Sequence, residues 1–235
     1  SNAISAYGSR LADILPTPNI DRIGNEGLRA NNCFCTNAIC TPSRAVILTG
    51  QYSQVNGVYT LADSLDPNHP NVAKCLQQAG YQTAMIGKWH LKNDPAGFDY
   101  WNVLPGQGKY HDPVLSEHGV EKSYTGYCTD IVTDFSLDWL KNRDVDKPFF
   151  LMSHHKAPHG RWEYHSKYEH LFDDIEIPEP DSLWEDKSHR SEATRSFGTG
   201  MLDLANRMAE VDAKHHRLQP WPTGRLDIEG MDDVQ

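Results

Sequence analysis

Pro70-Asn71-Val72-Ala73-Lys74-Cys75-Leu76-Gln77-Gln78-Ala79-Gly80-Tyr81-Gln82-Thr83-Ala84-Met85-Ile86-Gly87-Lys88-Trp89-His90 is the stretch that sets the architecture. His69-Pro70 supplies a helix start, Val72, Ala73, Leu76 and Ala79 recur on one helical face, and Gly80 supplies a stop. Residues 81–86 then alternate like a short strand that halts at Gly87. The same order returns further along. A helix is predicted over about 129–142, with Ile131, Val132, Phe135, Trp139 and Leu140 at helical spacing, and Pro148 precedes a buried-looking strand over 149–152. Helix then strand, twice, predicts an α/β fold, an α/β/α sandwich around a largely parallel central sheet.

Outward from this core the punctuation is clear at the front and weaker at the back. Thr17-Pro18 opens a helix with Thr17 as cap and Pro18 at its first position, and Gly27 ends it. Residues 162–188 are irregular and rich in acids, proline and histidine, and a weaker helix is expected over 191–215. No domain boundary shows before about residue 216, so 1–215 reads as one domain and 216–235 as a polar tail or its continuation. Both ends read as cut.

Composition narrows the function. With 38% apolar residues the chain can build a core, while its net charge of −10 argues against a general grip on nucleic acid. An anionic substrate must therefore be held by a few local cations. No apolar run approaches the roughly 18–20 residues that span a bilayer. The five cysteines, Cys33, Cys35, Cys40, Cys75 and Cys128, are too few for a disulfide scaffold. The C-x-C-x4-C cluster lacks the pair spacing and fourth ligand of a zinc site.

In open α/β sheets ligands sit beyond the carboxyl ends of the strands. That rule selects Gly87-Lys88-Trp89-His90, with Lys88 and His90 expected on one face of an extended segment. It also selects Ser153-His154-His155-Lys156-Ala157-Pro158-His159-Gly160-Arg161-Trp162. Taken singly, either loop reads more readily as solvated surface; together they would make an anion site. His165 and His170 read as polar surface. A third element is Cys40-Thr41-Pro42-Ser43-Arg44, read as a helix start with Thr41 capping and Pro42 first. That places Cys40 just ahead of unpaired N–H groups and a favourable dipole, where a thiol is exposed and acidified.

Cys40-x-Pro42-x-Arg44 followed by Leu48-Thr49-Gly50 resembles the signature of the type I sulfatases, members of the alkaline-phosphatase-like superfamily. Thr17-Pro18-Asn19-Ile20-Asp21, Gly87-Lys88-Trp89-His90-Leu91 and Ala157-Pro158-His159 resemble sulfatase segments in the same order. The resemblance covers roughly residues 4–175. It implies that Cys40 is converted to Cα-formylglycine, whose hydrate is the nucleophile and a ligand of the family's Ca2+. By the same resemblance Arg44 holds the hydrate, Lys88 bridges it and a sulfate oxygen, and His90 bonds its second hydroxyl. His159 contacts the ester and helps the leaving oxygen depart. Thr41 and Ser43 belong to the motif read by a sulfatase-maturing enzyme, with Ser43 packing near the hydrate. Lys88, His159 and Trp162 form the substrate-binding set, the last as an aromatic that can stack on a sugar.

What the resemblance implies is hydrolysis of a carbohydrate sulfate monoester, in a periplasmic or secreted setting by family habit. Two alternatives stay open. One is a phosphonate or phosphate monoester hydrolase of the same superfamily. The other is an inactive, metal-free fragment, because the family's metal-binding carboxylates and second lysine have no counterpart in the sequence and its smaller C-terminal domain is absent. Cys40 is the only metal ligand of the family pattern found here.

Overall fold

The computed structural model describes residues 3–160, 162–180 and 185–195. Two compact units divide the chain, one of residues 19–175 and one that joins the first 18 residues to those from 176 onward. In the latter, Thr17 pairs with Ser5 through reciprocal hydrogen bonds, its amide donating to Ser5 Oγ at 2.7 Å and its hydroxyl oxygen accepting from the Ser5 amide at 3.0 Å. That hydroxyl is thus spent on Ser5, not on a cap alone. Of the helix expected over 191–215, Glu192–Arg195 is helical; the rest, the tail over 216–235 and Arg161 lie outside the described residues.

The larger unit holds a five-stranded sheet ordered β4-β3-β2-β1-β5. Its strands are β1 (Gln82–Lys88), β2 (Tyr100–Leu104), β3 (Val114–Glu117), β4 (Val120–Ser123) and β5 (Phe149–His154). β1 is an interior strand that pairs in parallel with β2 on one side and β5 on the other, while β2–β3 and β3–β4 are antiparallel. The helices are α1 (Pro18–Glu26), α2 (Cys40–Thr49), α3 (Ser53–Asn56), α4 (Val72–Gln78) and α5 (Cys128–Asn142). No described helix is long and apolar enough to cross a membrane.

Successive side chains of a strand point to opposite faces, and two apolar clusters show the result. Met85, Trp101, Val103, Phe150 and Met152 pack with Ala45 and Leu48 of α2 and Ala73 of α4. Ile86, Leu104 and Leu151 pack on the other side with Cys128, Val132, Phe135 and Trp139 of α5. A helical layer on each face is the three-layer sandwich expected, around a mixed sheet that is parallel through β2, β1 and β5 and antiparallel from β2 to β4.

Four local readings change. β1 is buried along almost its whole length and does not alternate, because both faces are covered. It also runs past Gly87 to Lys88. α4 starts at Val72, capped by Asn71, whose side chain accepts from the Lys74 amide; Val72 and Ala79 are exposed, leaving Ala73 and Leu76 as the inward stripe. β5 is half-buried and not fully buried, since among the described strands it lies at the sheet edge.

Candidate active site

The loops leaving β1, β2 and β5 emerge at the same, carboxyl edge of three parallel strands, flanking the central one. This crevice is where an α/β sheet offers its backbone and side chains to a ligand. Gly87 makes the close packing there possible. Its φ is +95°, and a Cβ at that position would lie 2.0 Å from the His154 carbonyl oxygen on β5.

α2 points its first turn into this region. The Ser43 amide donates to the Ile39 carbonyl, so Ile39 is the cap, Cys40 is the first helical residue and Pro42 the third. Thr41 therefore does not cap: its hydroxyl donates to the His90 carbonyl at 3.1 Å, tying α2 to the loop after β1. Pro42 is tolerated because amides of the first turn have no intrahelical acceptor. Cys40 is half-buried, in contrast to the exposed thiol expected, while Cys33 and Cys35 are exposed. Ser43 Oγ lies 3.8 Å from Cys35 Sγ.

Arg44 stands one turn after Cys40. Its guanidinium donates to the Lys88 carbonyl and, at 3.1 Å, to Nδ1 of His154, joining α2 to the ends of β1 and β5. Burial pulls the Arg44 pKa down while the Cys40 thiol raises it. Lys88 is 2% exposed and its ammonium donates to Gln107 Oε1 at 2.6 Å. Burial lowers its pKa, the nearby Cys40 raises it, and Arg44 and Lys156 lower it. His90 does not continue an extended segment. Its φ of +58° turns the chain after Trp89, so Lys88 and His90 do not share a strand face. Burial, then Lys88, Arg44, Lys92 and His159, push the His90 pKa down to about 4, and its Nδ1 is buried without a hydrogen-bond partner.

The loop after β5 supplies the rest. His159 is near enough to His90 to influence its protonation. Its carbonyl accepts from the Tyr110 hydroxyl at 2.6 Å, and its Nδ1 meets the Gly160 carbonyl. Trp162 folds back on the same loop, its indole N–H donating to the Pro158 carbonyl at 2.9 Å, and the residue is 63% exposed. His165 faces Asp130 and His170 pairs with Asp173 at the surface.

Cys40, Arg44, Lys88, His90 and His159 thus form one electrostatically connected group. Three further partners join this group, and of these only Gln107 escaped the sequence reading. Lys156 is 8% exposed and close to Lys88, Gln107 links the two, and His154 receives Arg44. Lys156 and His154 stood in a loop already singled out; nothing local marks Gln107.

The donor set bears on the metal. Ca2+ takes roughly six to eight oxygen ligands, mostly carboxylate and carbonyl. Among the described residues no three His, Cys, Asp or Glu side chains gather to hold an ion, and the charges felt by Lys88 and His90 include no carboxylate. These residues do not fit calcium. They fit an anion.

The chain is 46% identical over 198 residues to an N-acetylglucosamine-6-O-sulfatase of Bacteroides thetaiotaomicron, covering 83% of this chain and 35% of the relative. It is 30% identical to the Homo sapiens N-acetylglucosamine-6-sulfatase over 183 residues, covering 66% of this chain and 33% of that one. A solved structure of a protein in complex with its substrate, D-glucosamine-2-N,6-O-disulfate, superposes with a TM-score of 0.80 at 45% identity, over 85% of this chain and 40% of the other. This chain therefore spans about a third of the length of the curated relatives it matches. Residues 1–213 match the sulfatase family model, and the chain belongs to the sulfatase family.

Proposed function

We propose that this chain carries the nucleophile and anion-binding half of a sulfatase that hydrolyses a sulfate monoester on a glucosamine-type sugar, with Cys40 converted to formylglycine. The observation that carries the reading is Cys40 in the first turn of α2, within electrostatic reach of the half-buried Arg44 and the buried Lys88. The relatives' printed activities and the bound disulfated glucosamine support the substrate class.

The residues then divide the chemistry. Positive charge on Arg44 and Lys88 offsets the sulfate oxygens, which otherwise repel a nucleophile. One hydroxyl oxygen of the hydrated aldehyde attacks sulfur as its own proton passes to solvent, and the bond from sulfur to the sugar oxygen breaks as His159 delivers a proton to that oxygen. His90, held neutral, takes the proton of the second hydroxyl. The carbonyl re-forms, the remaining carbon–oxygen bond to sulfate breaks, and inorganic sulfate leaves. Serine or unmodified cysteine has no second hydroxyl and no such exit. The exposed ring of Trp162 offers a face for the sugar.

Maturation by a formylglycine-forming enzyme belongs to the same proposal. Thr41 and Pro42 are fully buried once α2 docks, so an enzyme reading these residues acts before that docking. Export to the periplasm or medium goes with it, on family habit.

Incubating the native protein with glucosamine 6-sulfate should release sulfate, and Cys40→Ala should abolish release. Intact mass of the peptide around Cys40 should be lower by about 18 Da, the loss on replacing a thiol and a hydrogen by a carbonyl oxygen. Turnover that survives Cys40→Ala overturns the mechanism, and faster release of phosphate from an aryl phosphate than sulfate from the matching aryl sulfate overturns the substrate class.

A further inference from the structure

The loop between β2 and β3 holds three parts of the site at once. Gln107 Oε1 accepts from Lys88 Nζ at 2.6 Å, and the main-chain carbonyl of the same residue accepts from Lys156 Nζ at 3.3 Å. Three residues on, Tyr110 presents its ring 4.8 Å from the Lys156 ammonium and its hydroxyl to the His159 carbonyl. Lys88 and Lys156 are 2% and 8% exposed, so neither ammonium can turn to bulk water for solvation. The loop is itself fixed. The Gly108 amide donates to the Pro105 carbonyl, and a Cβ on Gly108 would press on the core side chain of Leu104 at 3.0 Å.

We infer that Gln107 is a positioning residue of this site, its side-chain and main-chain carbonyls fixing the spacing of the Lys88 and Lys156 ammonium groups that face the sulfate. The inference rests on the reaction proposed above and extends it to a residue that touches no reacting atom. The chemistry explains the residue type. A carboxylate here would hold Lys88 equally well but would cancel the positive charge that an anion needs. A neutral amide oxygen aims the ammonium and leaves its charge for the substrate.

Two variants of the native protein, read by two measurements, test this. Gln107→Glu keeps shape and adds a charge; Gln107→Leu removes the acceptor. Calorimetric titration with inorganic sulfate should show Gln107→Glu binding roughly tenfold or more weakly, since an opposed charge within hydrogen-bond distance is worth more than 1.4 kcal/mol. Gln107→Leu should bind sulfate within about threefold of wild type, yet lose roughly ten- to a hundredfold in kcat on glucosamine 6-sulfate, the range of a lost hydrogen bond to a charged group. Thermal midpoints report folding. Sulfate affinity unchanged in Gln107→Glu, or kcat unchanged in Gln107→Leu, overturns the inference. If Gln107→Leu does not fold, the titration of Gln107→Glu decides alone. A wild type that binds sulfate but hydrolyses no sulfate ester refutes the proposed reaction while leaving the titration arm intact; a wild type that binds no sulfate refutes the placement.

Discussion

Arg44 and His154 meet at 3.1 Å through Nη1 and Nδ1. A guanidinium only donates, so His154 accepts at Nδ1 and carries its proton on Nε2. Burial, then the charge of Arg44, hold the His154 pKa down at about 4. One helix and one strand are thereby joined through a neutral imidazole.

This has a consequence for stability against pH. His154 and His90 both titrate near 4 in the fold and near 6.5 when unfolded. Below pH 6.5 the unfolded chain takes up protons that the folded one refuses. Stability is therefore full above that pH, declines as pH falls toward 4, and levels off below it, by on the order of 2 kcal/mol for each group once partial exposure is discounted. Urea titrations at pH 7.5, 5.5 and 4 should show the decline, and His154→Gln, which keeps an acceptor without the titration, should remove the His154 share. A slope unaltered in His154→Gln would show that His154 does not contribute to the acid loss of stability.

Arg44→Lys is expected to be far from conservative. Nη1 alone makes the bonds to the Lys88 carbonyl and His154, so a lysine ammonium placed there leaves no second nitrogen of a planar fork for position 40. Activity (kcat/KM) should fall by about two to three orders of magnitude, the scale of losing one preorganised donor to developing negative charge. Steady-state kinetics on glucosamine 6-sulfate measure it; a loss under fivefold would show that charge alone suffices.

Gly87→Ala probes the packing beneath the site. Its φ of +95° disfavours a side chain, and the new Cβ would collide with the His154 carbonyl. We expect more than about 3 kcal/mol of destabilisation, beyond the range of an ordinary surface change. Chemical denaturation checks this, and a shift below 1 kcal/mol would mean that β1 and β5 separate easily.

Trp162→Ala separates sugar recognition from chemistry. With an exposed ring beside His159, its loss should raise KM for the sugar sulfate by about five- to tenfold, as for one aromatic contact, with kcat unchanged. A small aryl sulfate should show no change. Equal effects on both substrates would place Trp162 in the loop's structure and not in binding.

How much of this was legible in the sequence depends on whether the signal was local. Val132, Phe135 and Trp139 repeat at helical spacing, and α5 lies where they place it. β2 carries Asn102, fully buried in the middle of Tyr-Trp-Asn-Val-Leu, which breaks an apolar run and hides a central strand. β3 and β4 are four residues each, and β4 is exposed throughout. Their connection, His118-Gly119 with both φ positive, has the sign pattern of a tight hairpin turn but not the usual Asn-Gly text. At the site, the motif residues were readable because their order along the chain resembles a family. Gln107 was not, since its role comes from two lysines distant in sequence that only the folded sheet brings near.

The burial of the Lys88 and Lys156 ammonium groups also governs how fast an anion arrives. A chain with a net charge of −10 repels a sulfated sugar at long range, and the attractive groups lie beneath the surface. Ions of the medium screen the distant repulsion, which acts through solvent, far more than the short, sheltered attraction. Capture of substrate should therefore quicken as ionic strength rises from low values, opposite to the behaviour of a protein that steers its anion with exposed lysines.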